Sequence, residues 1–265
     1  MRRLNLRSLQ RAGLWLSLLA AIIPAVTPDS SVIPDYSEIQ TASRIFTGRS
    51  LDDFFKYLGH VRPVAQKLNA GTQRTLSKRV REIAMATGQI TESRIEDYQR
   101  CFTPIFTLHQ REGHIILIIF PDQEPSVTIH NNRVIAISTR SVELAESEAG
   151  LAGIIAHEVA HEYLTSPRLT SLLDQDARLD HEIELVCDGI AVASLLRLGM
   201  DPQAYARSLS AQVRNQKNTS NDRLSLHPAL ATRLAMIRSV SAWFSPPARS
   251  ETVADFLSNH EQGEP

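Results

Sequence analysis

Cysteine is almost absent from this chain: of 265 residues, only Cys101 and Cys187 carry a thiol. Two thiols cannot build a disulfide framework, so the fold must be held by its core, and the pair fits either one bridge or two buried free side chains. An excess of basic charge is missing as well. Lys and Arg number 28 against 29 Asp and Glu, and no basic run longer than a pair follows the N-terminus. A nucleic-acid partner would usually leave a basic face or stripe, so nothing here points to that class and none is expected. Also missing is an apolar run of the roughly 20 residues that a spanning helix requires. The longest such segment, 12–26 (AGLWLSLLAAIIPAV), is interrupted by Pro24 and preceded by Arg2, Arg3, Arg7 and Arg11. That is the plan of an export signal, so a signal peptide is expected over residues 1–26, with an N-terminal anchor as the alternative. The chain is therefore expected to be exported, periplasmic or extracellular, and membrane-tethered if the segment stays in place.

What is present suits one well-filled domain, with 43% apolar residues and 22% charge. Residues 27–48 read as a linker or irregular arm, 49–245 as the main domain and 246–265 as a mobile tail. Ser50 is placed to cap a helix that carries Leu51, Phe54, Phe55 and Leu58 on one face, and a second helix is predicted over 75–86, with Gly88 at its end. The segments 103–109, 114–120 and 126–139 are rich in Ile, Val, Thr and Phe and predict a small antiparallel sheet. Helices are predicted over 143–164, 181–198, 202–214 and 229–240. Gly199 stops the second of these, and Asp201-Pro202 opens the third. The expected class is α+β, mainly helical, with the sheet ahead of the helix that carries the chemistry.

That helix contains LAGIIAHEVAHEYL. His157 and His161 stand four apart, so their imidazoles leave one face one turn apart, which is the spacing that chelates zinc. Glu158 follows the first histidine directly, where it can take a proton from a water at the metal. At this chain's His and Glu frequencies, H-E-x-x-H arises by chance in about 2 of 100 such sequences. The neighbours Leu151, Ile154, Ile155 and Val159 make the helix strongly apolar, and two histidines with a carboxylate are costly there unless satisfied. A metal satisfies all three; core histidines hydrogen-bonded to backbone or carboxylates are the alternative. A catalytic zinc wants a third protein ligand. In DHEIELVCDGIA, Glu184 can supply it while Asp188, one turn on, hydrogen-bonds the far nitrogen of a ligand histidine. His181 and Glu182 share that helix and are rival third ligands, whereas His60, His109, His114, His130 and His260 have no partner at ligand spacing.

H-E-x-x-H followed by E-x-x-x-D resembles the M48 family of zinc metallopeptidases. The lead-in ESEAGLAGIIAHEVAH, Gly189-Ile190-Ala191 and HPALATR are similar to that family's elements, over about residues 125–240. The segment TIHNNRVIAIST departs from its pattern, as does Cys187, which stands where a small residue is usual. The resemblance implies a zincin-like domain of the gluzincin type with one Zn2+ per chain, bound by His157, His161 and Glu184. It implies Glu158 as general base and Asp188 as the carboxylate behind a ligand histidine. His227 and Arg233 fall on the downstream element, implying support of the site or of an oxyanion; a helix cap plus a surface ion pair is the alternative. The activity implied is endoproteolysis of protein or peptide substrates. Independently of the resemblance, the 126–138 strand just before the metal helix is expected to present an edge on which an extended peptide lies as an added strand. A non-catalytic, chaperone-like zinc protein of the same fold is the rival, and it leaves Glu158 without a task.

Overall fold

The computed structural model describes residues 34–62, 71, 92–130, 133–166, 169, 171, 173, 179–216 and 227–245. The expected signal segment 1–26, the helix over 75–86 and the tail 246–265 lie outside the described residues.

The order of elements is α1 (Tyr36–Ser43), α2 (Leu51–Val61), α3 (Glu92–Leu108), β1 (Ile116–Phe120), β2 (Val127–His130), β3 (Val134–Ser138), α4 (Thr139–Leu144), α5 (Glu148–Tyr163), α6 (Leu179–Arg197), α7 (Pro202–Asn215) and α8 (Leu230–Phe244). This is a mainly helical α+β arrangement with one small sheet, and no described helix is long and apolar enough to cross a membrane. Helix α5 is the centre of the packing: α6 and α7 lie against it, and α8 and α1 lie against α6.

Four local expectations are corrected. The arm over 27–48 is not irregular throughout, because Asp35 caps α1 by accepting from the Ser37 and Glu38 amides. Ile39, Ala42, Ile45 and Phe46 then enter the core, so the folded domain starts before residue 49. Segment 103–109 is the end of α3 rather than a strand. Phe102, Ile105 and His109 recur at helical spacing and are all buried, and this outweighs both the β-prone composition and the missing amide of Pro104. The stretch 126–139 is two strands, and the sheet is mixed rather than antiparallel. Its order is β1-β3-β2, with β3 parallel to β1 and antiparallel to β2. The six-residue link 121–126 is long enough to step across one strand, leaving a slot that β3 fills on its return. Finally, the helix expected over 143–164 is broken. Glu146 takes a positive φ of 58° and Ser147 starts α5 afresh by accepting from the Gly150 amide.

The remaining punctuation follows its chemistry. Ser50 accepts from the Asp53 amide at the head of α2, and Asp201 accepts from that of Gln203 at the head of α7. Gly199, at φ 69°, ends the run of α6.

Candidate metal centre

Helix α5 is buried on nearly every side; of its residues only Glu148, Ala149 and His161 escape full burial. It therefore delivers His157 and Glu158 into an environment where polar groups must be satisfied by one another. Helix α6 faces it with Glu184 and Asp188 on one side, one turn apart. His157 Nε2 lies 3.4 Å from Glu184 Oε2, and His161 Nε2 lies 3.4 Å from Glu184 Oε1. The two imidazoles meet edge to face, with ring centres 5.0 Å apart. One donor atom from each of His157, His161 and Glu184 falls within 4.8 Å of the others.

This buried group can hold a metal ion. Two imidazole nitrogens and a carboxylate are a donor set that zinc accepts, and tetrahedral zinc places its nitrogen and oxygen ligands about 3.3 Å from one another. The 3.4 Å histidine-to-glutamate separations, each to a different Glu184 oxygen, are close to that spacing. Of the rival ligands, His181 turns to α1, its Nδ1 3.1 Å from Glu38 Oε1, and neither it nor Glu182 belongs to the convergent group.

Behind His157 stands a second layer. Asp188 is completely buried, with its Oδ1 2.9 Å from His157 Nδ1. Arg233 of α8 donates to both Asp188 oxygens, from Nε at 2.8 Å and from Nη2 at 2.6 Å. Arg233 is itself buried, so this is an interior ion pair and not a surface one. His227 is more than half exposed, with Nδ1 3.1 Å from Glu184 Oε2. It does not cap α8, whose first-turn amides receive no side-chain cap. Tyr205, on α7, was not singled out by any motif, yet its hydroxyl donates to Asp188 Oδ1 at 2.6 Å and lies 3.2 Å from His157 Nδ1. The available signal was Gly153 within the apolar helix, since a glycine there marks close approach of another element. A Cβ at Gly153 would sit 2.6 Å from Tyr205 Cβ.

The electrostatics follow from burial and pairing. Burial alone would lower the His157 pKa, but hydrogen bonds to Asp188 and Glu184 outweigh it and raise it to about 9. His161 is pushed down to about 4 by burial and by the charge of His157. Burial also works against charge on Glu184 and on Asp188. In Glu184 the hydrogen bonds from His157 and His227 win and hold it well below the usual carboxylate range, and in Asp188 the Arg233 guanidinium wins and lowers it. Glu158 is different: burial raises its pKa, and among the described residues its carboxylate has no hydrogen-bond partner. The site thus holds two committed carboxylates, one uncommitted carboxylate, one imidazole drawn to positive charge and one that resists it.

Of the other histidines, His60 bonds the Lys56 carbonyl oxygen and His114 that of Glu112, both exposed. His109 is buried between Tyr163 and Ser194. Cys101 and Cys187 are not joined by a disulfide. Cys187 is buried beside the site, where burial raises its pKa.

No model of a known protein family matches the chain, and no curated protein matches it.

Proposed function

We propose that the chain is a zinc-dependent endopeptidase of the gluzincin type, similar to the M48 peptidases, with a zincin-like fold and export directed by residues 12–26. The observation that carries this reading is the convergence of His157, His161 and Glu184 beside a carboxylate, Glu158, that has no hydrogen-bond partner among the described residues. A purely structural zinc site is closed by four protein ligands, whereas three ligands plus a base is the catalytic pattern.

His157, His161 and Glu184 would hold one Zn2+, which supplies Lewis acidity: it acidifies a water and polarises a carbonyl oxygen. Glu158 accepts one proton from that water as its oxygen bonds to the scissile carbonyl carbon. The same carboxyl returns the proton to the amide nitrogen as the C–N bond breaks, so acid and carboxylate forms alternate within one turnover. A carboxyl whose pKa burial has raised suits both halves of this cycle. Exposed His227, at the rim, is placed to meet the substrate, while buried Arg233 is committed to Asp188 and acts through it. Both edges of β3 are paired, so an extended peptide would add to β2, the edge strand that packs on α5. Backbone pairing there implies loose side-chain selectivity.

The test is casein hydrolysis by the wild-type chain and by Glu158→Gln, each loaded with zinc. The expected outcome is equal zinc content with activity lowered about 10²–10⁴-fold in the variant, and abolished in the wild type by a chelator. Zinc-loaded wild type that cleaves no more than Glu158→Gln would leave a binding protein in place of a protease.

A further inference from the structure

We propose that Tyr205 is a positioning residue of the metal centre, whose hydroxyl fixes the proton of His157 on Nδ1 and so aims the Nε2 lone pair at the ligand cluster. The inference rests on the metal-centre reading above and adds a residue that no ligand motif contains.

The hydrogen-bond bookkeeping at Asp188 carries it. Asp188 is fully buried and paired with Arg233 through both oxygens, so its carboxylate only accepts. The Tyr205 hydroxyl has one proton and spends it on Asp188 Oδ1, at 2.6 Å. Its oxygen therefore faces His157 Nδ1, at 3.2 Å, with lone pairs alone. The same nitrogen lies 2.9 Å from Asp188 Oδ1. Both oxygens lie nearer to Nδ1 than the Arg233 Nη2 donor, at 3.5 Å, and that donor is already committed to Asp188 Oδ1, so Nδ1 carries the hydrogen. Nε2 is then the nitrogen left to bind, and it is the one 3.4 Å from Glu184. The hydroxyl adds a second oxygen to the one that Asp188 presents, so the Nδ1–H is held between two acceptors rather than one. Such partners of ligand histidines set both tautomer and orientation.

The ring of Tyr205 is held in place independently of its hydroxyl. It lies against α5 at Gly153, where a side-chain carbon would come within 2.6–2.8 Å of Tyr205 Cβ, Cγ and Cδ2. Tyr205 is 1% exposed, and its ring centre is 6.5 Å from that of His157. Tyr205→Phe keeps this packing and removes one oxygen.

Two readouts on the full-length chain test the proposal. The first is Zn2+ affinity by competition with a chromogenic chelator; the second, taken with no metal added, is the slowly exchanging Nδ1–H resonance of His157 in 15N-labelled protein. Tyr205→Phe is expected to weaken zinc binding about 10-fold and to shift the Nδ1–H signal and hasten its exchange. Should the variant also melt earlier, both readings are taken well below its transition on folded protein, where a merely structural tyrosine predicts wild-type values. Wild-type values in either readout overturn the positioning role. A wild type that binds no zinc fails the metal-centre reading instead, and the resonance then decides the role of Tyr205 by itself.

Discussion

Asp188 is the residue on which the polar interior balances. It has no exposed surface and gathers donors from His157, Tyr205 and Arg233, drawn from three helices. A buried charge that loses its partner costs far more than the pair contributes, about 3–5 kcal/mol. Arg233→Met keeps most of the volume and strands the carboxylate, so a fall in unfolding free energy of that order is expected in urea denaturation. Asp188→Asn should cost less stability but more metal affinity, since the amide presents His157 with a weaker acceptor. Glu158→Gln should change stability least of the three, because the Glu158 carboxylate has no hydrogen-bond partner among the described residues. At this scale the motif residues were legible because their chemistry is tied to spacing: positions four apart share a helix face whatever surrounds them. Tyr205 was not, because it reaches Asp188 across a helix–helix contact that local periodicity does not encode.

At the scale of elements, two helices approach their neighbours through glycine. A Cβ at Gly189 would lie 2.3 Å from the Phe46 ring, and one at Gly153 would press on Tyr205. Gly→Ala inside an exposed helix gains about 1 kcal/mol from propensity. Here the clash reverses the sign, and Gly153→Ala and Gly189→Ala are each expected to lower the melting temperature, as followed by circular dichroism. A rise at either position would mean that the contact is looser than described. Helix ends were readable wherever a cap residue advertises itself, as at Ser50, Asp201 and Gly199. Strand pairing was not, because alternating Ile and Val specify a face but leave the neighbour open. The order β1-β3-β2 depends on a link that skips a strand, and at 103–109 a β-prone composition competes with the helical spacing that places this segment at the end of α3.

For the molecule as a whole, pH sensitivity should come in part from a histidine remote from the ligand cluster. His109 is enclosed by α5 and α6, bonded to Tyr163 and Ser194, and burial pushes its pKa from 6.5 down to about 3. Between those values the unfolded chain binds a proton that the folded chain refuses, so stability is full above 6.5 and is lost as pH falls toward 3. The loss from this one group approaches about 1.4 kcal/mol per pH unit. His109→Gln, which has no proton to bind, should show a shallower fall in urea midpoint between pH 6 and pH 4; an unchanged slope would place the acid sensitivity elsewhere.

The helices that enclose His109 also build the ligand cluster, and the account depends on that cluster binding metal. The most direct test is elemental analysis of the purified chain beside Glu184→Ala. About one zinc per wild-type chain, with most of it lost from Glu184→Ala, is the predicted result. No zinc in the wild type would contradict the metal centre itself, and a full load in Glu184→Ala would contradict the ligand set assigned to it.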